Sequence, residues 1–341
     1  MNKKVSLKDI AEAAGVSTAL VSYVLNGKEE EARVGKDTAL RIREMAKKMN
    51  YQPNQIAKSL KSGKSQTIGL LVADISNPFF GNLARAIEDE AKKRGYTVLF
   101  GSSDENLEKS QRLIDTFINR QIDGFIIAPA EGTASQLENL KAAHIPFVLI
   151  DRYFKDLETS YIVVDNFKAT YQATQQLLQQ GHHKIAYVCY KNKLQHTEDR
   201  YHGYVQALRD QGINDDENLV FEVEYNSPTD FRKRFIDLLH PDRGVEAILF
   251  STNTLSIMGL KIINELDFAI PEDIAVFCFD QSESYDLFYC PISYVRQPLG
   301  EIGKEAVRVL LEQLHAKKPG EQQVMLDAEI IARKSCEKIK K

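Results

Sequence analysis

No run of apolar residues in this chain approaches the roughly 18 needed to cross a bilayer as a helix. The basic start, MNKKVSLKDIAEAAGVS, is not followed by the apolar stretch and small-residue cleavage site of a secretory leader. Cysteine is scarce. Cys189, Cys278, Cys290 and Cys336 are the four in 341 residues, and no two form a CxxC pair. Such thiols fit a reduced, cytoplasmic protein better than a disulfide framework or a zinc site. GxGxxG, GxxxxGKS or GxxxxGKT, GxSxG and HExxH are also missing. Dinucleotide, P-loop, serine-hydrolase and zinc-protease chemistries therefore have no motif to rest on. The expectation is a cytoplasmic protein with no membrane partner, no cofactor, no metal and no enzymatic activity.

What is present is ordinary globular composition, with 43% hydrophobic and 27% charged residues, at a length that suggests at least two domains. The net charge of -4 is unevenly spread. Residues 1–62 carry twelve Lys or Arg against seven Asp or Glu, a local +5 that leaves -9 for the rest. A basic head on an acidic body points to a polyanionic partner for the head.

The head reads as short helices. Ser6 with Asp9 fits a capping box opening Leu7 to Ala14, and Gly15 stops that helix. Ser17 can cap a second helix that runs to about Leu25, where Asn26-Gly27 ends it. A third runs from about Asp37 to Met49, with Ile42, Met45, Ala46 and Met49 on one face. Pro53 breaks the pattern, Asn54 can cap a short helix over 55–60, and KSGKSQ is a polar joint. From Thr67 the rhythm changes to apolar runs of strand length (TIGLLVAD, YTVLFGS, GFIIAPA, PFVLID, KIAYVCY, EAILFS, IAVFCFD) alternating with helical patterns. Strands apolar on both faces, alternating with helices, predict parallel doubly wound sheets. There are too many for one sheet, so two α/β lobes are expected. Sites in such sheets lie at the carboxyl ends of strands, where the chain places Asp74, Asp104, Asp151 and Asp280.

In DIAEAAGVSTALVSYVLNG, Ala11, Gly15 and Val21 have helix-turn-helix spacing. The small Ala lets two helices cross, Gly takes the turn and Val seals the interior. The second helix would then project Thr18, Ala19, Ser22 and Tyr23 into a major groove. Ser17 and Asn26 at its two ends complete that set. Lys36, Arg41 and Lys58 are candidates for phosphate neutralisation, the competing reading being solvated surface charge.

This head, the junction YQPNQIAKSLKSGKSQTIGLLVADISNPFF and the segment VRQP together resemble the LacI/GalR family of bacterial transcription regulators over nearly the whole chain. The resemblance implies an N-terminal all-α helix-turn-helix DNA-binding domain over 1–62, with a hinge helix over 54–62. It also implies a two-lobed, periplasmic-binding-protein-like α/β effector domain over 66–341. The lobes would comprise 66–163 with 296–321, and 164–295 with the C-terminus. The implied partners are double-stranded operator DNA, read by a homodimer, and a small effector, most often a sugar or sugar phosphate. Asn54, Lys58 and Leu60 fall in the implied hinge helix, and Leu60 matches a leucine wedged between base pairs in the minor groove. The chain departs from the family in having Tyr23 where Arg is common and Gly35 where Ser or Thr is common. Tyr cannot make the bidentate fork that Arg makes to guanine.

For the effector, Phe79 and Phe80 in SNPFF offer aromatic faces to a sugar ring, the alternative being core packing. The resemblance matches Arg200 in RYHG and Asp280 in FCFD to the family's ligand-binding arginine and carboxylate. A five-donor fork and a two-oxygen acceptor can chelate neighbouring hydroxyls, or can simply pair with each other. Asn253, which could instead cap the next helix, and Gln297 match further pocket positions. Asp151 and Arg152 would line the rim, and Asp104 is the other strand-end carboxylate assigned to the site. Tyr225 and Asn226 are placed by loop position alone. Thr254 stands where the family commonly has Asp, and Cys278 where it commonly has Gly. His182-His183 is read as a structural turn, since no third metal ligand has suitable spacing. ARKSCEKIKK lacks a leucine heptad, so a dimer is expected in place of a tethered tetramer. Two other functions stay open at this point. One is a solute-binding protein with the same clamshell, which would leave the head unused. The other is an enzyme using paired carboxylates at strand ends.

Overall fold

The computed structural model describes residues 5–52, 63–214, 219–225, 227–316 and 320–338. The chain forms two compact units, Met1–Ser65 and Gln66–Lys341. Asn54, Lys58 and Leu60 lie outside the described residues, as does Asn226.

The first unit holds α1 (Leu7–Ala14), α2 (Thr18–Leu25) and α3 (Lys36–Lys48). The capping box is present. The Ser6 amide donates to Asp9 Oδ2 at 2.7 Å, and the Asp9 amide donates to Ser6 Oγ at 3.3 Å. Gly15 ends α1 with φ 65°, a left-handed backbone that a Cβ would strain. Ser17 caps α2 by accepting from the Leu20 amide at 3.2 Å. The third helix starts and stops one residue earlier than its apolar pattern suggests, because Gly35 is its N-cap and makes no side-chain cap bond. Ile10, Ala11, Val21, Val24, Ile42 and Ala46 close the core. Ala11 and Val21 fill the interior roles that their spacing assigned them.

The second unit contains two six-stranded sheets. The first lobe takes β1 (Thr67–Val72), α4 (Pro78–Lys93), β2 (Thr97–Ser102), α5 (Leu107–Asn119), β3 (Gly124–Ile127), α6 (Ala134–Ala142), β4 (Phe147–Ile150) and β5 (Tyr161–Val164). The second takes α7 (Asn166–Gln179), β6 (Ile185–Tyr190), α8 (Gln195–Asp210), β7 (Val220–Val223), α9 (Pro228–Leu238), β8 (Ala247–Phe250), α10 (Asn253–Glu265), β9 (Ala275–Phe279) and β10 (Ser293–Arg296). Then α11 (Leu299–His315) and β11 (Gln323–Leu326) return to the first lobe, and β12 (Glu329–Ile331) ends in the second. The sheet orders are β11-β5-β4-β3-β1-β2 and β12-β10-β9-β8-β6-β7. Every pairing is parallel except β10 with β12.

Helices cover both faces of each sheet, as parallel strands require. Leu83, Ile87, Ala306 and Leu310 of α4 and α11 pack on one face of the first sheet. Ile114, Phe117, Leu137 and Leu140 of α5 and α6 pack on the other. In the second sheet α7 and α8 take one face through Ala173, Leu177 and Tyr204. Phe231, Phe235 and Ile263 of α9 and α10 take the opposite face. Where α7 meets α8 the backbones nearly touch. A Cβ on Gly203 would stand 2.3 Å from the carbonyl oxygen of Phe167 and 2.9 Å from the amide nitrogen of Tyr171.

The lobe boundaries differ from those expected. β5 keeps Val164 in the first lobe, β10 keeps Arg296 in the second, and the returning segment reaches Leu326, not 321. The strands β5, β7, β10, β11 and β12 were not separately legible. Each has at most four residues, and β11 alternates exposed with half-buried positions as an edge strand does. Three connections join the lobes, at 165, at 297–298 and at 327–328. Two bonds tie the first to the third. The Asp165 amide donates to the Leu326 carbonyl at 2.9 Å, and Lys168 Nζ to Asp327 Oδ1 at 2.7 Å.

Candidate functional site

In the first unit, α2 presents Thr18, Ala19, Tyr23 and Asn26 to solvent, with Ser22 half-buried. Tyr23 is 45% exposed, which is unusual for an aromatic on a helix of so small a core. Asn26 Nδ2 donates to the Ser22 carbonyl at 2.7 Å and stiffens the end of the helix. Lys36 is exposed at the start of α3. Ser17 is occupied in capping, which leaves its hydroxyl hydrogen able to reach a phosphate oxygen.

In the second unit, strand order reverses between β1 and β3 in one sheet and between β6 and β8 in the other. Crevices outside the carboxyl ends of strands at such reversals are where open α/β sheets bind ligands. Both reversals face one cavity of about 490 Å³, lined from β1 by Asp74 and Asn77, from β3 by Glu131, from β6 by Tyr190 and from β8 by Ser251 and Thr254. A second cavity of about 540 Å³ is lined by Phe79, Asn82, Asp280, Ser282 and Gln297. Away from the connecting segments, hydrogen bonds of 3.1 Å reach across from lobe to lobe. Tyr225 Oη donates to Asp74 Oδ2, the Lys193 amide to Glu131 Oε1, and Asn253 Nδ2 to Asn77 Oδ1.

Six of the expected effector residues divide between these cavities, while Asp104, Asp151 and Asn253 line neither. Phe80, Arg152 and Arg200 line the first, and Phe79, Asp280 and Gln297 the second. Phe79 and Phe80 meet edge to face, with centroids 5.0 Å apart, and are also part of the first-lobe core. The core packing of the pair is therefore what the structure shows, and each ring also borders a cavity. Arg152 is buried. Its Nε donates to Asp151 Oδ2 at 3.1 Å, and its Nη1 donates to Glu105 Oε1 at 2.8 Å and Oε2 at 3.0 Å. Burial opposes the charge, but Glu105 and Asp151 outweigh it and hold the Arg152 pKa above its usual value.

Arg200 is likewise buried, but its partners are neutral. Nε donates to Asn166 Oδ1 at 2.8 Å and Nη1 to the Ser251 carbonyl at 2.6 Å, with the guanidinium 3.6 Å from the Phe279 ring centre. That stacking fixes the fork's plane. Asp280 accepts from Gln297 Nε2 at 2.6 Å. Burial raises its pKa, and the nearby Arg200 pulls the other way. Arg200 and Asp280 thus make no direct hydrogen-bonded pair, and Arg200 borders the first cavity where Asp280 borders the second. Asn253 does not cap α10. Thr252 does, accepting from the Leu255 amide at 3.3 Å, which frees Asn253 to bridge the lobes.

Asp104 is elsewhere. It is exposed, accepts from Ser102 Oγ at 2.6 Å and from Lys109, and lines neither cavity. Its neighbour Glu105 reaches the first cavity in its place. Asp104, Asp151 and Asp280 share a left-handed backbone, at φ 52°, 66° and 69°. Strain of this kind gathers at binding sites, and Asp tolerates it better than most residues. His182 Nε2 meets the Cys336 carbonyl at 3.3 Å, and no metal-binding cluster occurs among the described residues.

Sequence reasoning did not assign Glu105, Tyr190 or His196 to the site. His196 lies four residues before Arg200 on α8, hence on the same face. That spacing would have found it. Its Nδ1 is buried without a partner among the described residues. Its pKa is driven well below the usual value, first by burial and then by Arg152 and Arg200.

Residues 6–54 match the bacterial regulatory proteins of the lacI family, and residues 174–336 match the periplasmic binding protein-like domain. The HTH-type transcriptional regulator RegA of Clostridium saccharobutylicum is 30% identical over 97% of this chain and 98% of its own length. The chain belongs to the LacI family of transcriptional regulators. The ribose operon repressor of Halalkalibacterium halodurans is 31% identical to this LacI-family chain, over 92% of it and 91% of the repressor. A crystal structure of the lac repressor dimer bound to operator and the anti-inducer ONPF shares the fold. It covers 98% of this chain and all of its own, at a TM-score of 0.85 and 20% identity. The relatives regulate transcription, and this LacI-family chain is a regulator of that kind, not an enzyme. No described helix is long and apolar enough to cross a membrane.

Proposed function

We propose that the protein is a repressor that binds operator DNA as a homodimer and is gated by a small polyhydroxy effector of the sugar class. Operator contact is assigned to Ser17, Thr18, Ala19, Ser22, Tyr23, Asn26 and Lys36, with Asn54, Lys58 and Leu60 from the hinge segment. Effector contact is assigned to Phe79, Phe80, Asp151, Arg152, Arg200, Asn253, Asp280 and Gln297, with Glu105 in place of Asp104. The observation that carries the reading is the convergence of both sheet reversals on one polar cavity crossed by interlobe hydrogen bonds. Asp74, Asn77 and Glu131 on one lobe and Tyr225, Asn253 and Lys193 on the other meet only when the lobes are near. A ligand held between them therefore binds the closed arrangement better than the open one, which is the condition for shifting a population. The kinship with a ribose operon repressor supports a sugar as the effector class.

The test is fluorescence anisotropy of a labelled fragment of the protein's own promoter, titrated with protein and then with sugars. A change of at least fivefold in DNA affinity with one sugar is expected, corresponding to about 1 kcal/mol of coupling. Absence of sequence-specific binding, or DNA affinity indifferent to every sugar, refutes the reading.

A further inference from the structure

From Ser17 to Gly27 the chain has no charged residue and no glutamine. On α2, Thr18, Ser22 and Asn26 stand one turn apart, with Ala19 and Tyr23 beside them. These form the outward stripe, with Ser22 half-buried, while Val21 and Val24 face the head's core. In a helix-turn-helix the second helix enters the major groove, and its first residues meet base edges.

The chemistry of that stripe is selective by what it leaves out. Guanine is commonly read by the two-point fork of Arg or Lys to O6 and N7, cytosine by an acidic acceptor, and adenine by the amide of Asn or Gln. The stripe has no cation and no carboxylate. Its one carboxamide, Asn26, is turned back on the helix. Its Nδ2 donates to the Ser22 carbonyl at 2.7 Å and lies 3.4 Å from Ser22 Oγ. Lys28, the cation that follows the helix, is 3.3 Å from Glu31 Oε2. What remains is the methyl groups of Thr18 and Ala19, the 45%-exposed ring of Tyr23, and hydroxyls that make single bonds of either sense. The C5 methyl of thymine is the apolar group that a base pair presents in the major groove, and methyl and aromatic side chains pack on it.

We propose that α2 recognises thymine, with Thr18, Ala19 and Tyr23 packing on C5 methyl groups, so that the half-site positions facing this helix are A·T pairs and are not anchored by guanine. The inference rests on the operator-binding reading and names the base chemistry of that same surface.

The test starts from duplexes that the full-length protein selects out of a random pool. In the selected half-site each thymine is replaced in turn by deoxyuridine, which keeps every hydrogen-bonding group and lacks only the methyl. Each guanine is replaced in turn by 7-deazaguanine, which lacks the N7 acceptor. Fluorescence anisotropy then reads the affinities. At least two thymines per half-site should each lose about fourfold in affinity as deoxyuridine, the worth of one buried methyl-sized group. No 7-deazaguanine should cost as much as twofold. Tyr23→Ala and Thr18→Ser should each reduce the deoxyuridine penalty at one thymine to below twofold and leave the others unchanged. Thr18→Ser removes a single methyl from an exposed side chain and so spares the fold. A selected site indifferent to deoxyuridine, or one that a 7-deazaguanine weakens more than any deoxyuridine does, overturns this inference and leaves operator binding standing. Deoxyuridine penalties that neither variant alters also overturn it. A pool from which no sequence is enriched overturns both.

Discussion

Replacing Gly203 by alanine tests how tightly α8 of the second lobe is built in. In an open helix interior the change stabilises by about 1 kcal/mol. Here the added carbon would stand 2.3 Å from the Phe167 carbonyl oxygen and 2.9 Å from the Tyr171 nitrogen, both main-chain atoms that no rotamer change can move. Reaching ordinary contact means parting α7 and α8 by about 1 Å, which forfeits a quarter to a half of the dispersion energy between them. Overpacking costs about 1–3 kcal/mol, and immovable backbone places this site near the top of that range. Set against the propensity gain, the net loss is about 2 kcal/mol, or a Tm lowered by roughly 4–8 °C. Gly81 in α4 is the control. Nothing lies within 4 Å of its would-be Cβ, so Gly81→Ala should raise Tm by roughly 2–4 °C. Differential scanning fluorimetry of both variants reads the opposite signs. A Gly203→Ala protein as stable as the parent would refute the close-crossing argument. Because α8 carries His196 and Arg200, the same variant should also lose affinity for any sugar the parent binds.

Other substitutions probe the remaining links. Tyr225→Phe deletes the bond to Asp74 across the lobes and should weaken effector binding about fivefold with little change in Tm, measured by calorimetry. Gly35→Ser supplies the missing cap of α3 and should slow amide exchange in that helix, for a gain of a few tenths of a kcal/mol. Tyr23→Arg should steepen the salt dependence of DNA binding by about 0.9 in log–log slope if the new cation reaches a phosphate. His196 and His182 have folded pKa values held below the unfolded one by burial, so the unfolded state binds protons more readily and the fold loses stability as pH falls below about 6.5. Denaturant titrations between pH 7.5 and 5.5 should show this decline. In His196→Leu the slope should be shallower by at most about 1.4 kcal/mol per pH unit.

Local features were the most legible. The capping box at Ser6, the turn at Gly15 and the cap at Ser17 follow from chemistry within four residues, and α1 and α2 have the limits those signals set. The apolar strands were equally plain, since burial on both faces leaves an unbroken run in the central strands, and even the partly exposed edge strand β2 keeps one. What the chain hid were features settled by distant partners. The four residues of β11 become a strand only by pairing with β5. Asp104 and Glu105 are adjacent and both acidic, and nothing local tells which one turns towards the cavity. The Ser102 hydroxyl and Lys109 hold the first at the surface, while Arg152 draws the second inward. The partners of Arg200 and Asp280 are likewise distant in sequence, Asn166 and Ser251 for the first and Gln297 for the second.

The threefold passage of the chain between lobes bears on how the protein is made. The first sheet is incomplete until Leu326 has been added, and after only Asp327 and Ala328 the next strand closes the second. Neither lobe is a contiguous fragment, so neither can finish folding on the ribosome ahead of the other. A nascent chain stopped before residue 320 would bare a rim of unpaired backbone amides and carbonyls on both sheets at once, an invitation to aggregate.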